Sequence, residues 1–451
     1  MNYLPHTDED RRVMLARLGL SSTAELFAEL PEKLLDPKID LPAALDEPAI
    51  LRQLEKITAP EVVSFLGAGA YDTHLPAIVG NLIGRTEFET AYTPYQPEIS
   101  QGTLTAIYEF QSAITRLTGL PVANASMYDG ASAAAEAAAL AVRNGRRAHR
   151  VLISRGLHPF YRETIETYIA DLGCDKGNCA SIEEIPLTAD GQTNLMVLGE
   201  MLDEKVAAVI IATPNFLGMV EDTTAAFEMT HAKCKGLTIS VGSPLAQALL
   251  KTPADCGADI AVGEAQPLAA TLSFGGPYLG YFASTKKLAR KVPGRIVGET
   301  VDADGKTCYA LTLQTREQHI RREKATSNIC TNNALMALAA TIHLSALGPQ
   351  GLTELATLNL QNAHYAADEL TKLDGVKPLF PIGYFFNEFA LKLPSGRVDE
   401  VIEKLTERGY LPGLALKRFY PEYADGLLVA VTDQRTKDEI DGLVAALKEV
   451  L

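Results

Sequence analysis

Leu237-Thr-Ile-Ser-Val-Gly242, Gly257-Ala-Asp-Ile-Ala-Val-Gly-Glu-Ala-Gln-Pro-Leu268 and Ser273-Phe-Gly-Gly-Pro-Tyr-Leu-Gly280 are the stretches that decide the fold. They read as a buried strand, a short helix between the first two pieces, a second buried strand, a turn, and a Gly-rich crossing into a third strand. The same grammar extends outward on both sides. Short apolar runs at Arg150–Ser154, Val206–Ala212, Leu237–Ser240, Ala258–Val262 and Tyr278–Phe282 alternate with helical stretches at 159–172, 193–204, 222–235 and 244–251. Strands that are apolar throughout, and separated by helices, belong to a parallel sheet covered on both faces. Residues 61–310 are therefore expected to form one large α/β domain.

The flanks read differently. Residues 1–60 form a helical N-terminal segment: Thr7 caps a helix that runs through Leu18 and stops at Gly19, and Ser22 with Glu25 makes a capping box for the next helix. Helical spacing recurs from Thr103 to Leu117 and in the Ala-rich run Ala131–Val142. Residues 311–348 are a polar linking segment followed by a helix from Ala334 to Leu347. Residues 349–451 begin with a long helix. Strands at Asn387–Leu393 and Leu427–Val431 follow, each leading into a helix (397–408 and 435–450), which makes a small C-terminal α/β domain of βαβα order.

Composition narrows the function. The chain has 451 residues, 47% hydrophobic and 22% charged, with a net charge of −15. An acidic surface repels phosphate backbones, so nucleic acid is not an expected partner. The short basic stretch Arg143–Arg150 does not alter that balance. No run approaches about 18 uninterrupted apolar residues, so no membrane span is expected. The N-terminus is acidic and lacks the apolar core of a signal peptide. Six cysteines without CxxC spacing or nearby His pairs suit neither a metal site nor a disulfide framework, and a reducing cytoplasm is the expected setting.

Three motifs bear on a site. In Met127-Tyr-Asp-Gly-Ala-Ser132, Gly130 and Ser132 open a helix after a strand, as a phosphate cradle requires. Asp129 argues against a phosphate there and for simple helix capping. The loop Tyr92–Gly102 puts Tyr92, Tyr95, Gln96, Glu98, Ser100 and Gln101 among two prolines before a helix, which reads as a binding or interface loop. The segment Gln314–Asn332 holds Arg316, His319, Arg322 and Asn328, open as polar interface residues, while Arg321 and Lys324 read as solvated helix. His74 and His158 follow turns where sites form, but a satisfied structural histidine is the simpler reading of each. No Ser/His/Asp or metal-ligand set appears, and Asp259 reads as a turn or cap residue.

The strand–turn–crossing frame around Leu237–Gly280 is similar to that of pyridoxal-phosphate enzymes of the aspartate-aminotransferase fold, fold type I, with its parallel-rich seven-stranded-type sheet and small C-terminal α+β domain. That resemblance implies an Asp after the first strand, for the pyridine nitrogen, and a Lys before the Gly-rich crossing, for the Schiff base. Here Val241 and Gln266-Pro267 stand at those places, with Pro267 at the Lys position. Longer motifs narrow the family: Tyr3-Leu-Pro-His-Thr-Asp-Glu-Asp10, Thr93-Pro-Tyr-Gln-Pro-Glu-Ile-Ser-Gln-Gly102, Tyr128-Asp-Gly-Ala131 and the whole of Gln314–Asn332. Over essentially its full length the chain resembles the P-protein family of the glycine cleavage system. Within that family it resembles subunit 1, the alpha chain, of the split bacterial glycine dehydrogenase (decarboxylating).

The resemblance implies a glycine decarboxylase that takes glycine as an external aldimine of pyridoxal phosphate. It releases carbon dioxide and passes the aminomethyl group to the lipoyl arm of the H-protein. It further implies that pyridoxal phosphate is bound covalently by subunit 2, that this chain is active only in a complex such as an α₂β₂ heterotetramer, and that the Tyr92–Gly102 loop reaches the neighbouring pocket. Two rivals stand beside it. One is an independent pyridoxal-phosphate enzyme using another lysine, such as Lys251, Lys286 or Lys287. The other is a regulatory or scaffold paralogue without a part in catalysis.

Overall fold

A computed structural model describes residues 5–451 apart from 36, 58–61, 89–90, 146–147, 175–176, 178 and 381–383. Tyr3 and Leu4 of the N-terminal motif, and Arg146 and Arg147 of the basic stretch, lie outside the described residues. The chain divides into two compact units, Met1–Pro60 and Glu61–Leu451.

The first unit carries α1 (Asp8–Leu18) and α2 (Glu47–Ile57). The α1 helix begins with a reciprocal box between Thr7 and Asp10 and ends at Gly19, whose φ of 75° suits a residue without Cβ. The expected Ser22–Glu25 box does not form. Thr23–Phe27 is a 3-10 turn, and the Glu25 carboxylate is drawn to the Ser21 N–H instead.

The second unit opens with β1 (Val63–Ser64), α3 (Ala77–Ile83) and α4 (Gln101–Thr118). Next come β2 (Val122–Ala123), α5 (Gly130–Asn144), β3 (Arg150–Ser154), α6 (Pro159–Ile169), β4 (Ser181–Ile185), α7 (Leu195–Met201) and β5 (Val206–Ala212). The series closes with α8 (Thr223–Lys233), β6 (Leu237–Val241), α9 (Pro244–Gln247), β7 (Ile260–Glu264), α10 (Gln266–Ala269) and β8 (Gly280–Ser284).

Strands β2 to β8 make one seven-stranded sheet in the order β2-β8-β7-β6-β5-β3-β4. Strands β3 to β7 run parallel, as their alternation with helices demands. The third strand of the opening stretch does not continue that direction: β8 is antiparallel to both β7 and β2. Its connection carries only the four-residue α10, not a helix able to return the chain across the sheet. Every residue of β5 is buried, which explains its unbroken apolar run. The alanines of α5 let it lie close against one face of the sheet, on Val151, Ile153, Ala208, Ile210 and Ile239. Sequence periodicity missed β4, because Glu183 and Glu184 interrupt its apolar pattern at the sheet edge.

A hairpin, β9 (Ile296–Val301) with β10 (Thr307–Thr312), then leads through α11 (Gln318–Arg321) to α12 (Ala334–Leu370). The Gln314–Asn332 segment is a chain of short helical turns, with Arg321 and Lys324 exposed on them as expected. Among the described residues α12 is the one helix long and apolar enough to match a membrane span. It is broken at Gly348 (φ 62°, ψ −179°) just before Pro349, so the expected separate helices meet there. Its buried residues Met336, Ala337, Ala340, Leu352 and Ala356 join Phe110, Ile114 and Leu268 in a core.

The chain ends with β11 (Lys377–Pro378), β12 (Glu388–Lys392), α13 (Val398–Glu407), β13 (Tyr410–Leu411), β14 (Leu414–Ala415), β15 (Gly426–Ala430) and α14 (Lys437–Val450). The expected strands at 387–393 and 427–431, each leading into a helix, are present, within a larger sheet. The four strands β11-β12-β15-β14 form an antiparallel sheet, as suits the expected α+β domain, and two short strands missed in the sequence lie between α13 and β15. Strand β13 leaves to pair in parallel with β1. The expectation of unpaired cysteines also fails once. Cys174 and Cys179 are bonded, their Cα atoms 4.1 Å apart, at a separation that gave no motif signal.

Candidate functional site

A cavity of about 100 Å³ lies where the carboxyl ends of the parallel strands converge, the place where open α/β sheets bind ligands. Leu157 and His158 enter after β3, Pro214 and Asn215 after β5, Val241, Gly242 and Ser243 at the end of β6, and Glu264 and Pro267 at β7 and α10. Gly69 and Tyr71 come from the loop after β1, and Asn387 and Glu388 from the start of β12. The two diagnostic positions of the sequence thus meet in one pocket: Val241 and Pro267 both face it.

Its polar groups are spent on one another. Glu388 accepts from the Ala68 N–H at 2.7 Å and from the Tyr71 hydroxyl at 2.9 Å. Burial pushes the Glu388 carboxyl up to about 7 and holds the Tyr71 phenol well above its usual range. His158 accepts the Phe160 N–H at Nδ1, so Nε2 carries the proton and donates to the Ala68 carbonyl at 2.8 Å. Burial lowers its pKa, and the ring stacks on Tyr161 at 5.1 Å. This is a satisfied, neutral histidine. His74 stands outside the cavity and is exposed, with its backbone N–H on Asp433.

Glu264 occupies the centre. Its Oε2 accepts from the Gly130 N–H at 2.8 Å, and its Oε1 accepts from the N–H groups of Gln266 at 2.9 Å and Leu279 at 2.8 Å. Burial raises its pKa to about 7 against the pull of those three donors. Gly130 begins α5, with Asp129 as N-cap and Ser132 completing the capping box. A Cβ at Gly130 would stand 2.0 Å from the Tyr161 hydroxyl oxygen, so only glycine fits.

These residues do not fit pyridoxal phosphate. Val241 offers a pyridinium nitrogen no carboxylate, and Pro267 has no amine. The Gly130 N–H that would meet a phosphate already binds a carboxylate. Among the described residues no lysine lines the cavity, and Lys251, Lys286 and Lys287 are exposed elsewhere.

The other sequence candidates gather on a separate surface. Gln101 pins the base of the Tyr92–Gly102 loop to β10: its amide donates to the carbonyls of Pro97 and Tyr309 and accepts the Tyr309 N–H. Ser100 is buried. Tyr92 (81% exposed), Ile99 (76%) and Tyr95 (51%) project outward, and Gln96 and Glu98 are exposed beside them. Tyr95 meets His319 edge-on at 6.0 Å.

Arg316 is not at the surface. It is buried and donates to the Gly294 carbonyl at 2.8 Å. The next residue, Arg295, was missed by sequence reading. It is 2% exposed, donates to Cys330 O and Thr331 Oγ1, and lies 6.0 Å from the Tyr95 ring. Among the described residues neither arginine forms a salt bridge, although the Glu317 carboxylate acts on Arg316. Arg322 and Asn328 are exposed farther along this segment. Glu264 had one readable signal, an acid closing a buried run at a parallel strand's carboxyl end. Arg295 had none, because its neighbours are distant in sequence.

Comparison with known proteins follows this geometry. The family model for the glycine cleavage system P-protein matches residues 1–447. A probable glycine dehydrogenase (decarboxylating) subunit 1 of Moorella thermoacetica is 49% identical, with both chains covered in full. A crystal structure of glycine decarboxylase (P-protein) of the glycine cleavage system, in inhibitor-bound form, superposes with a TM-score of 0.85 at 44% identity, again over 100% of each chain. A NifS-like protein shares the fold at a TM-score of 0.62 and 12% identity, over 86% of this chain and 99% of its own.

Proposed function

The chain belongs to the glycine cleavage system P-protein family, and we propose that it is the lysine-free half of a two-chain glycine decarboxylase. The complex decarboxylates glycine and transfers the aminomethyl group to the lipoyl arm of the H-protein. Subunit 2 holds pyridoxal phosphate covalently, and the pair works in the cytoplasm as a heterotetramer.

The observation that supports this reading is the pocket itself: Val241 and Pro267 line it where the resemblance expects an acid and a lysine, and the Glu264 carboxylate takes the Gly130 N–H. Catalysis by this chain alone has nothing to work with. Its contribution is a surface: Tyr92 and Tyr95 held outward on a loop fixed by Gln101, with the buried Arg295 guanidinium against the Tyr95 ring. Among the described residues Arg295 forms no ion pair, and buried Arg316 feels the neighbouring Glu317 carboxylate without bonding to it, which favours an anion arriving from outside the chain. Tyr95 then lines the entrance for glycine or the lipoyl arm, and Glu98 orients its polar end.

The test is reconstitution. The purified chain with added pyridoxal phosphate should show no visible Schiff-base absorbance. Addition of subunit 2 should produce glycine-dependent carbon dioxide exchange that neither chain gives alone. An internal aldimine in the single chain would overturn the proposal. Full exchange by subunit 2 without this chain would make it a regulatory partner instead.

A further inference from the structure

Glycine at a helix start is open to an anion, because its N–H points along the helix axis and no side chain crowds the approach. The 15-residue α5 presents such a start at Gly130. The group found on that N–H is internal: the Glu264 carboxylate, carried there by the last residue of β7. The same carboxylate gathers two more backbone donors, Gln266 and Leu279, which flank the crossing between β7 and β8. Three N–H groups from three separate segments on one small oxyanion is the coordination a phosphate monoester would receive. The Tyr161 hydroxyl packs over Gly130 from the other side.

We propose that Glu264 is a resident anion that takes the place of a phosphate group, so that the pocket refuses phosphate-bearing ligands by charge and by occupancy, beyond its lack of a lysine. The proposal rests on the reading of this cavity as the cofactor pocket of the fold. A phosphate entering beside Glu264 would set two negative charges on one set of donors, next to the Asp129 carboxylate that caps the same helix at the Ser132 N–H, and Glu264 is tethered while the phosphate is not. The arrangement explains how a chain with an open helix N-terminus in a deep pocket stays free of cofactor in a cell that contains it. The subunit that completes a partner's site then does not sequester pyridoxal phosphate itself.

The test compares pyridoxal phosphate, pyridoxal and inorganic phosphate as ligands of the full chain by calorimetry, without subunit 2. The wild type should bind pyridoxal phosphate no better than pyridoxal. Glu264→Ala and Glu264→Ser should bind pyridoxal phosphate roughly tenfold or more tighter than pyridoxal, with inorganic phosphate competing. Glu264→Asp, which keeps the charge, should gain nothing. Phosphate-dependent binding by the wild type would overturn the proposal. So would its absence in both the Ala and Ser variants while circular dichroism shows them folded. Equal gain in the Asp variant would overturn the part played by charge. The role of the chain in the complex is read separately, from carbon dioxide exchange by wild-type chain with subunit 2. Failure there strikes the functional proposal and leaves the phosphate measurement intact.

Discussion

The cavity at the strand ends and the Tyr92–Gly102 surface are built on opposite plans. In the cavity, Glu264, Glu388, Tyr71 and His158 satisfy one another or nearby backbone groups. On the loop, Gln101 ties down the base and Tyr95 leans on His319 and Arg295, while Tyr92 and Ile99 stand in solvent. Aromatic area exposed on a stiff, anchored loop is what an interface needs, since little conformational freedom remains to be lost on binding. The difference separates a pocket whose polar groups are spent on one another from a surface whose aromatic area is left for a partner.

The largest expected effect probes the cavity as a structural element. Burial raises Glu388 to about 7, above its unfolded value near 4.5. The folded chain therefore holds a proton that the unfolded chain releases. Its contribution to stability is fully present below about pH 4.5, and it is lost as pH rises toward 7, at up to about 1.4 kcal/mol per pH unit. Glu388→Gln should flatten that part of the profile, read as the urea midpoint of variant minus wild type from pH 5 to 7. Identical slopes would break the picture of a desolvated, self-paired pocket.

A steric test comes next. Gly130→Ala places a methyl group on the Tyr161 hydroxyl and should cost about 1–3 kcal/mol, visible as a lower melting temperature. An unchanged melt would mean that the α5 start is looser than the geometry says.

Smaller effects separate the loop from the pocket. Tyr95→Phe and Glu98→Gln should each lower glycine-dependent carbon dioxide exchange of the complex by roughly three- to tenfold, up to about 1.4 kcal/mol of transition-state stabilisation. Melting of the chain and co-elution with subunit 2 should not change. Full activity in both variants would remove the loop from the site. The smallest effect is none: Lys251→Ala and Lys286→Ala should leave exchange at the wild-type rate, since both side chains are exposed and neither lines the cavity. A loss of activity in either would revive an independent lysine.

Much of the fold was legible because its signals are local. The runs at Arg150–Ser154 and Val206–Ala212 coincide with β3 and β5, since burial on both faces leaves an apolar imprint on consecutive residues. Thr7 and Gly19 mark the ends of α1 through backbone geometry that reaches only a few residues. Strands of two residues, such as β2 and β13, are too short to leave a period. The β9–β10 hairpin is mostly half-exposed, so its pattern is weak.

The sequence by itself determined the α/β frame and the family motifs, and it set Val241 and Pro267 where the resemblance expects an acid and a lysine. Chemical identity at a known point of a pattern can be read one residue at a time. Only the tertiary structure decided that Glu264 sits on the Gly130 N–H, 134 positions away in the chain, and that Arg295 lies beneath Tyr95. It alone turned β8 antiparallel. Such contacts depend on where distant segments come to rest, which burial of the whole core sets and no local run of residues encodes.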